Sequence, residues 1–258
     1  MSSSAARALR ILDWIARAGR PLGVSEIARE ASLAPGTVFR SLDALVRADF
    51  IARYQASARY VPANAVERLR RSVIAGFRMR EPVLPYLRQL ASASGETVSL
   101  HVRLGWYGVR IASALGTAEV TSAANLGETQ PLGDYYAGKA MLAFLSEAHI
   151  ARYGDWLAGH GVPFREQARE LHAVKKRGFA SGDADFTGAR AVAFPIRSTQ
   201  EPIAAIAIEG PVLPRTGEHH GGFSDWRETV AHVEALARAQ AGLFENPFAH
   251  LDPNSLIL

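Results

Sequence analysis

Apolar positions along the chain recur first at helical spacing and later at strand spacing. Residues 4–18 predict the first helix, because apolar side chains recur there every three or four positions. The predicted buried face of this helix consists of Leu9, Leu12, Ile15 and Ala16. Ile11 and Trp14 fall on a second face, which we expect to serve a partner.

A pair of short helices is predicted within residues 25–46, separated by a break around Pro35. Ser25 is suited to cap the first helix of the pair. The second helix turns four apolar residues inward: Val38, Leu42, Leu45 and Val46. Residues 50–61 then predict two short strands around a turn of small residues. Three helices followed by a two-stranded ribbon is the order of a winged helix-turn-helix, which we assign to residues 1–62.

Residues 63–80 predict a linker helix with an apolar stripe that ends before Pro82 and Pro85. The stripe consists of Val66, Leu69, Val73 and Phe77. The alternative is that this helix belongs to the core of one domain. The change in charge along the chain and the two prolines favour the linker.

Residues 81–246 predict a second domain. Helices are expected at 83–93, 136–145, 147–158, 164–177 and 224–244. Strands are expected at 97–104, 109–115, 190–198 and 202–210, and the first of them alternates like a half-buried strand. Helices gathered around a mostly antiparallel sheet make this an α+β domain. Residues 247–258 are assigned to a C-terminal tail.

Composition places this chain among folded proteins and separates its two halves by charge. It is 48% hydrophobic and 21% charged, and it contains no cysteine. The absence of cysteine, of a signal-peptide pattern and of a long apolar run predicts a cytoplasmic protein without a membrane span. Residues 1–80 carry 14 arginines and six acidic residues, a net charge of +8, whereas residues 81–258 carry −4. The basic front half is expected to meet an anion.

Nucleic acid is the anion that this front half fits best. In a helix-turn-helix, the start of the second helix reaches base edges in the major groove. Those residues are Gly36, Thr37, Arg40 and Ser41. Arg40 can form a forked hydrogen bond with guanine. Further phosphate or groove contacts are predicted for Ser25, Arg47, Arg53 and Arg59. The alternative is a solvated helix face in an ordinary small helical domain.

Several motifs in order resemble the IclR family of bacterial transcription regulators. In the front half they are Arg7-Ala8-Leu9, Glu26-Ile27-Ala28, and the run from Thr37-Val38-Phe39-Arg40 to Leu45. In the back half they are Gly95-Glu96-Thr97-Val98, Ala137-Gly138-Lys139-Ala140, Arg177-Gly178-Phe179-Ala180, Ala193-Phe194-Pro195-Ile196 and Ala205-Ile206-Ala207-Ile208. The similarity spans roughly residues 5–245.

This resemblance implies a winged helix joined to a GAF-like effector-binding domain. It implies a homodimer or tetramer on palindromic double-stranded DNA, with a small organic or aromatic acid as effector. No cofactor is implied. This chain departs from the family pattern where Gly36 replaces a serine and where Ala191 replaces a cysteine. Ala207 and Glu209 stand where small hydroxyl residues are usual. The effector of a relative should therefore not be assumed for this chain.

An effector pocket over the sheet would be lined by alternate strand residues and by the segment near 125–140. The candidates are Tyr135, Tyr136, Met141, Asp183, Asp185, Ala191, Ala207 and Glu209. The tyrosines either contact a ring or carboxylate, or pack in the core. Glu209 either faces the ligand or ends its strand in solvent.

Three other functions compete with a ligand-responsive regulator. An enzyme needs a nucleophile with a base or a metal set; the residues that would have to meet are Ser99, His101 and Asp183. Catalysis is not expected, and His219-His220 is interpreted as part of a polar loop rather than as a metal site. A ligand-independent DNA binder leaves the large second domain unexplained. A protein-interaction adaptor leaves Arg40 and the basic front half unexplained.

Overall fold

The chain folds into two compact units, Met1–Val73 and Ile74–Leu258, in a computed structural model. The boundary falls inside one helix, and the predicted domain limits of 62, 80 and 246 stay predictions. The structure describes residues 3–55, 57–117, 126–184, 189–197, 202–211, 230–235, 238–239 and 244.

The first unit is a winged helix-turn-helix. Its helices are α1 (Ser4–Arg17), α2 (Val24–Ala31), α3 (Pro35–Arg47) and α4 (Asn64–Gly76), the last crossing the unit boundary. Its strands are β1 (Leu22–Gly23), β2 (Ile51–Arg53) and β3 (Arg59–Pro62). They form an antiparallel sheet in the order β1-β3-β2. The sequence predicted the ribbon but not β1, which is too short to leave a periodic signal.

The predicted faces of the first helices need correction. Ile11 is fully buried in the helical core, so it does not serve a partner, while Leu9 is 61% exposed. Val46 of α3 is also largely outside the core. Gly23, not Ser25, is the N-cap of α2, and its N–H donates to the Glu26 carboxylate (2.9 Å). Ser25 therefore lies inside the first turn, exposed.

The second unit is an α+β fold around a six-stranded antiparallel sheet, as predicted for the fold class. Its strands are β4 (Thr97–Leu104), β5 (Tyr107–Ala114), β6 (Thr129–Pro131), β7 (Ala180–Ala184), β8 (Ala189–Arg197) and β9 (Pro202–Pro211). Its helices are α5 (Arg80–Ser94), α6 (Tyr136–Leu142), α7 (Glu147–Gly159) and α8 (Arg165–Arg177), with a 3-10 turn at Leu132–Asp134. The strand order is β6-β5-β4-β9-β8-β7.

Both faces of this sheet are covered, which the alternation in 97–104 did not predict. Val98, Leu100 and Ile206 pack in a core that also contains side chains of α5. On the opposite face, Ala193 and Ala207 pack in a core shared with α6. Thr97, Ser99 and His101, the polar residues that alternate with the apolar ones on β4, are therefore buried too and have almost no access to bulk water.

Two further predictions for this unit concern the prolines and the final helix. The linker helix does end before Pro82 and Pro85, at Gly76, but both prolines lie inside α5, which begins at Arg80 rather than at 83. Of the predicted final helix, residues 230–235 and 238–239 are helical, and most of the remainder lies outside the described residues. Where the chain is described, its helices are all too short or too polar to cross a bilayer.

Candidate functional site

The outward face of α3 carries most of the predicted DNA-contacting groups. Val38, Leu42 and Leu45 are buried, which orients the helix. The opposite face therefore presents Gly36 and Arg40, both exposed, while Thr37 and Ser41 lie half-buried on its flank. The Ser41 hydroxyl donates to the Thr37 carbonyl (3.2 Å), and Arg40 Nη2 lies 3.4 Å from the Thr37 hydroxyl. A side chain at Gly36 would meet nothing within 4 Å, so the fold does not require glycine there.

The other arginines predicted to contact DNA differ in whether they form an ion pair within the protein. Arg47 pairs with Asp43 one turn away (2.8 Å). Arg59, on β3, donates to the Pro21 carbonyl (3.0 Å) and pairs with Glu26. Arg53 is exposed on β2. Arg59 therefore braces the ribbon, and Arg53 and Arg40 have no ion pair within the described part of the chain.

A charged site is buried in the second unit, on the sheet face shared with α6. Arg110 of β5 is only 6% exposed. Its Nη2 contacts both carboxylate oxygens of Glu209 on β9 (3.0 and 3.2 Å), and its Nη1 lies 3.3 Å from Glu128 Oε2. Burial raises the pKa of Glu209, and the Arg110 charge opposes that shift. The pair is thus desolvated, and it depends on both partners remaining in place.

Next to this pair, three polar side chains complete the site. His101 of β4 lies opposite Arg110, and its Nε2 is 2.9 Å from the Ser99 hydroxyl. The ring of Tyr135 lies 5.3 Å from that of His101, centroid to centroid. The Tyr135 hydroxyl is buried and has no hydrogen-bond partner among the described residues. Burial raises the pKa of Tyr135, so its hydroxyl stays protonated and can donate.

Two glycines allow the tyrosines to approach the sheet. A Cβ at Gly108 would overlap the Tyr135 hydroxyl, and a Cβ at Gly182 would overlap the Tyr136 hydroxyl. Beside Gly108 and Tyr135 lies a cavity with room for about one water molecule. It is lined by His101, Gly108, Arg110, Glu128, Gln130 and Tyr135.

The predicted effector residues are partly brought together. Tyr135, Tyr136, Met141 and Ala207 belong to the core on the α6 side of the sheet, and Ala191 is paired with Glu209 in the register of β8 and β9. Met141 is fully buried. Glu209 does not end its strand in solvent but faces inward and pairs with Arg110, and its contact with a ligand stays a prediction. Asp183 lies on β7, and Asp185 and His219-His220 fall outside the described residues.

The sequence reasoning missed Arg110 and Glu128, although a signal for Arg110 existed. Arg110 and Glu209 are single charges of opposite sign, each inside an otherwise apolar strand. Two such charges are expected to pair if their strands share a sheet face. The enzyme alternative required Ser99, His101 and Asp183 to meet. Ser99 and His101 are in contact, but Asp183 lies on β7, which is separated from β4 by β8 and β9.

His101 predicts an acid-sensitive second unit. Burial, together with the Arg110 charge, lowers the pKa of His101 to about 3 from an ordinary 6.5. The neutral imidazole therefore contributes to the free energy of unfolding fully above pH 6.5. This contribution is lost as pH falls towards 3, with a slope that approaches about 1.4 kcal/mol per pH unit. Glu209 and Asp134, whose pKa values are raised, act in the opposite sense.

Urea unfolding of wild type and His101→Gln between pH 4.5 and 7.5 isolates this contribution. The variant should show a flatter loss of stability on acidification, because it has no imidazole to protonate. Parallel profiles for the two proteins would show that His101 does not control the acid response.

A basic winged helix, joined in one chain to an α+β unit with a buried polar site, defines a DNA-binding regulator with an effector domain. Residues 4–54 match the IclR helix-turn-helix domain, and residues 71–235 match the bacterial transcriptional regulator IclR C-terminal domain. The chain belongs to the IclR family of transcriptional regulators.

Individual relatives are similar to this chain over most of its length. The Transcriptional repressor IclR of Escherichia coli (strain K12) is 27% identical over 219 residues, covering 81% of this chain and 80% of that protein. The Glycerol operon regulatory protein of Streptomyces coelicolor is 29% identical over 246 residues, covering 90% and 92%. The crystal structure of an IclR homolog from Microbacterium hydrocarbonoxydans, complexed with 4-hydroxybenzoate, superimposes with a TM-score of 0.69 at 20% identity, covering 92% of this chain and all of that one.

Proposed function

We propose that this regulator binds a palindromic operator as a homodimer or tetramer and responds to a small organic acid, aromatic acids included. The observation that carries the ligand class is Arg110, a buried cation on the sheet face shared with α6. An arginine guanidinium fits a carboxylate in a forked geometry. A 4-hydroxybenzoate complex in one structural neighbour is consistent with this class.

The charges already present in the site restrict how an acid can bind. Arg110 already faces two carboxylates, so a third anion is admitted only if one of them leaves. Glu128 is the one to leave, since its side chain is 38% exposed against 15% for Glu209. Its carboxylate can return to water, and the acid then takes its place on Arg110. The Tyr135 hydroxyl, which is buried without a partner among the described residues, can donate to the acid.

Binding of benzoate, 4-hydroxybenzoate and pyruvate, measured by calorimetry, tests the ligand class. We expect at least one acid to bind wild type and to bind Glu128→Gln several-fold more tightly, because the competing carboxylate is gone. Arg110→Gln should bind none of them. Equal binding by wild type and Arg110→Gln would place the acid elsewhere and overturn the proposed site.

The proposed assembly rests on exposed apolar residues of the first unit. Leu9 of α1 is 61% exposed, and Leu69 and Val73 of α4 are 55% and 36% exposed. Leu69 and Val73 are one turn apart and so share a helix face. Trp14 is half-buried, with Arg10 over its ring (5.6 Å), and remains a candidate for this contact. Such a stripe is typical of an interface between two copies of a helix.

Leu69→Glu is therefore expected to weaken self-association, because it places a charge in an apolar contact. Light scattering after size exclusion should show a shift to a smaller species on dilution. Leu115→Glu is the matched control, since Leu115 is 65% exposed in the second unit. Unchanged mass for Leu69→Glu, or an equal loss in both variants, would contradict an interface at α4.

A protein-interaction adaptor and a ligand-independent DNA binder are the competing functions. Selection of genomic DNA fragments by the purified protein separates them. Enrichment of a palindrome supports the regulator. No enrichment with or without acid favours the adaptor. A palindrome whose affinity no acid changes favours the ligand-independent binder.

A further inference from the structure

Phe39 lies on the outward face of α3 and takes no part in the core of the first unit. Its side chain is 52% exposed, and it is absent from the cluster that buries Val38 and Leu42. It directly precedes Arg40, and both lie within the first two turns of the helix. In a helix-turn-helix, that part of the second helix contacts base edges.

The surroundings of Phe39 leave its ring accessible. Helical side chains lean towards the N-terminus, so the ring of Phe39 leans over the turn that holds Gly36. Gly36 has no side chain there and has open space around it. Further along the same face, Asp43 and Arg47 neutralise each other (2.8 Å). The start of the helix therefore presents an aromatic ring, Phe39, and a cation, Arg40, to solvent.

A phenyl ring has neither donor nor acceptor, which restricts what it can read in a major groove. Each base edge there presents hydrogen-bonding groups, and thymine alone adds a methyl group. An apolar side chain gains by covering that methyl and loses by covering a polar edge. Arg40, by contrast, fits the two acceptors of guanine.

We infer that Phe39 is a specificity-determining residue that covers the methyl group of a thymine next to the base pair contacted by Arg40. This rests on the proposed operator binding. Each half-site should then carry a thymine within one or two steps of a guanine, on either strand. Contacts to phosphate cannot provide this preference for thymine, because they carry no sequence information.

Replacing thymine by deoxyuridine removes only the methyl group and gives a direct test. The operator is first obtained by selection of genomic fragments, and each dT is then replaced by dU at symmetric positions. At one such pair of positions, wild type should lose affinity about three- to fourfold per half-site, the effect of one methyl group. Phe39→Ala should bind the dT and dU operators equally. Val46→Ala, which alters another exposed apolar residue of α3, should respond to dU as wild type does.

The outcomes separate the inference from the proposal on which it rests. If wild type selects no operator, operator binding itself fails. If it selects one but no dT-to-dU change matters, or if Phe39→Ala keeps the full sensitivity to dU, Phe39 does not read a methyl group. Thermal melting of Phe39→Ala checks folding, and little change is expected because the ring lies outside the core.

Discussion

Arg40→Ala is expected to weaken operator binding by about 5- to 150-fold for each half-site, the equivalent of ~1–3 kcal/mol. Arg40 is exposed on the outward face of α3, and no carboxylate within the described residues pairs with it. Its guanidinium is therefore available to fork onto a guanine without first breaking an ion pair. Fluorescence anisotropy with the selected operator and with a scrambled duplex measures the loss.

Arg47→Ala serves as the matched control for this prediction. Arg47 lies on the same helix but is paired with Asp43, and its side chain is 73% exposed. Its removal should lower the affinity for operator and scrambled DNA alike, with a smaller salt dependence of binding. If Arg40→Ala also weakened both duplexes equally, Arg40 would be a phosphate contact rather than a base reader.

Arg110→Met should destabilise the second unit by about 3 kcal/mol, because it leaves Glu209 buried without its cation. The loss is expected to shrink as pH falls. The pKa of Glu209 is already raised by burial and rises further without Arg110, so protonation then removes the unpaired charge. Urea unfolding followed by the tryptophan fluorescence of this unit, at pH 5 and pH 7.5, measures both effects.

The double variant Arg110→Met with Glu209→Leu separates the ion pair from simple packing. Replacing both partners by apolar side chains should recover most of the lost stability, since no buried charge remains unpaired. If the double variant were as unstable as the single one, the loss would come from a cavity rather than from Glu209. Glu128→Gln should cost little, because Glu128 is partly solvated.

Local periodicity was sufficient to predict most helices and strands of this chain. Apolar residues recur every three to four positions in helices such as α3 and α8 and every second position in β4, whereas β9 is a continuous apolar run. Where prediction failed, the pattern was ambiguous. Two faces of α1 carry apolar residues, so spacing alone did not tell Ile11 from Leu9. The face that packs against α3 was decided by packing between elements far apart in the sequence.

The sequence by itself determined the two-part organisation, the basic winged helix and the position of Arg40, because these depend on residue order and local spacing. The tertiary structure alone decided the polar site. Arg110 and Glu209 are 99 residues apart, and they meet because β4 lies between β5 and β9 in the sheet. Strand order and register are set by the packing of both sheet faces, and they cannot be predicted from the local sequence of either strand.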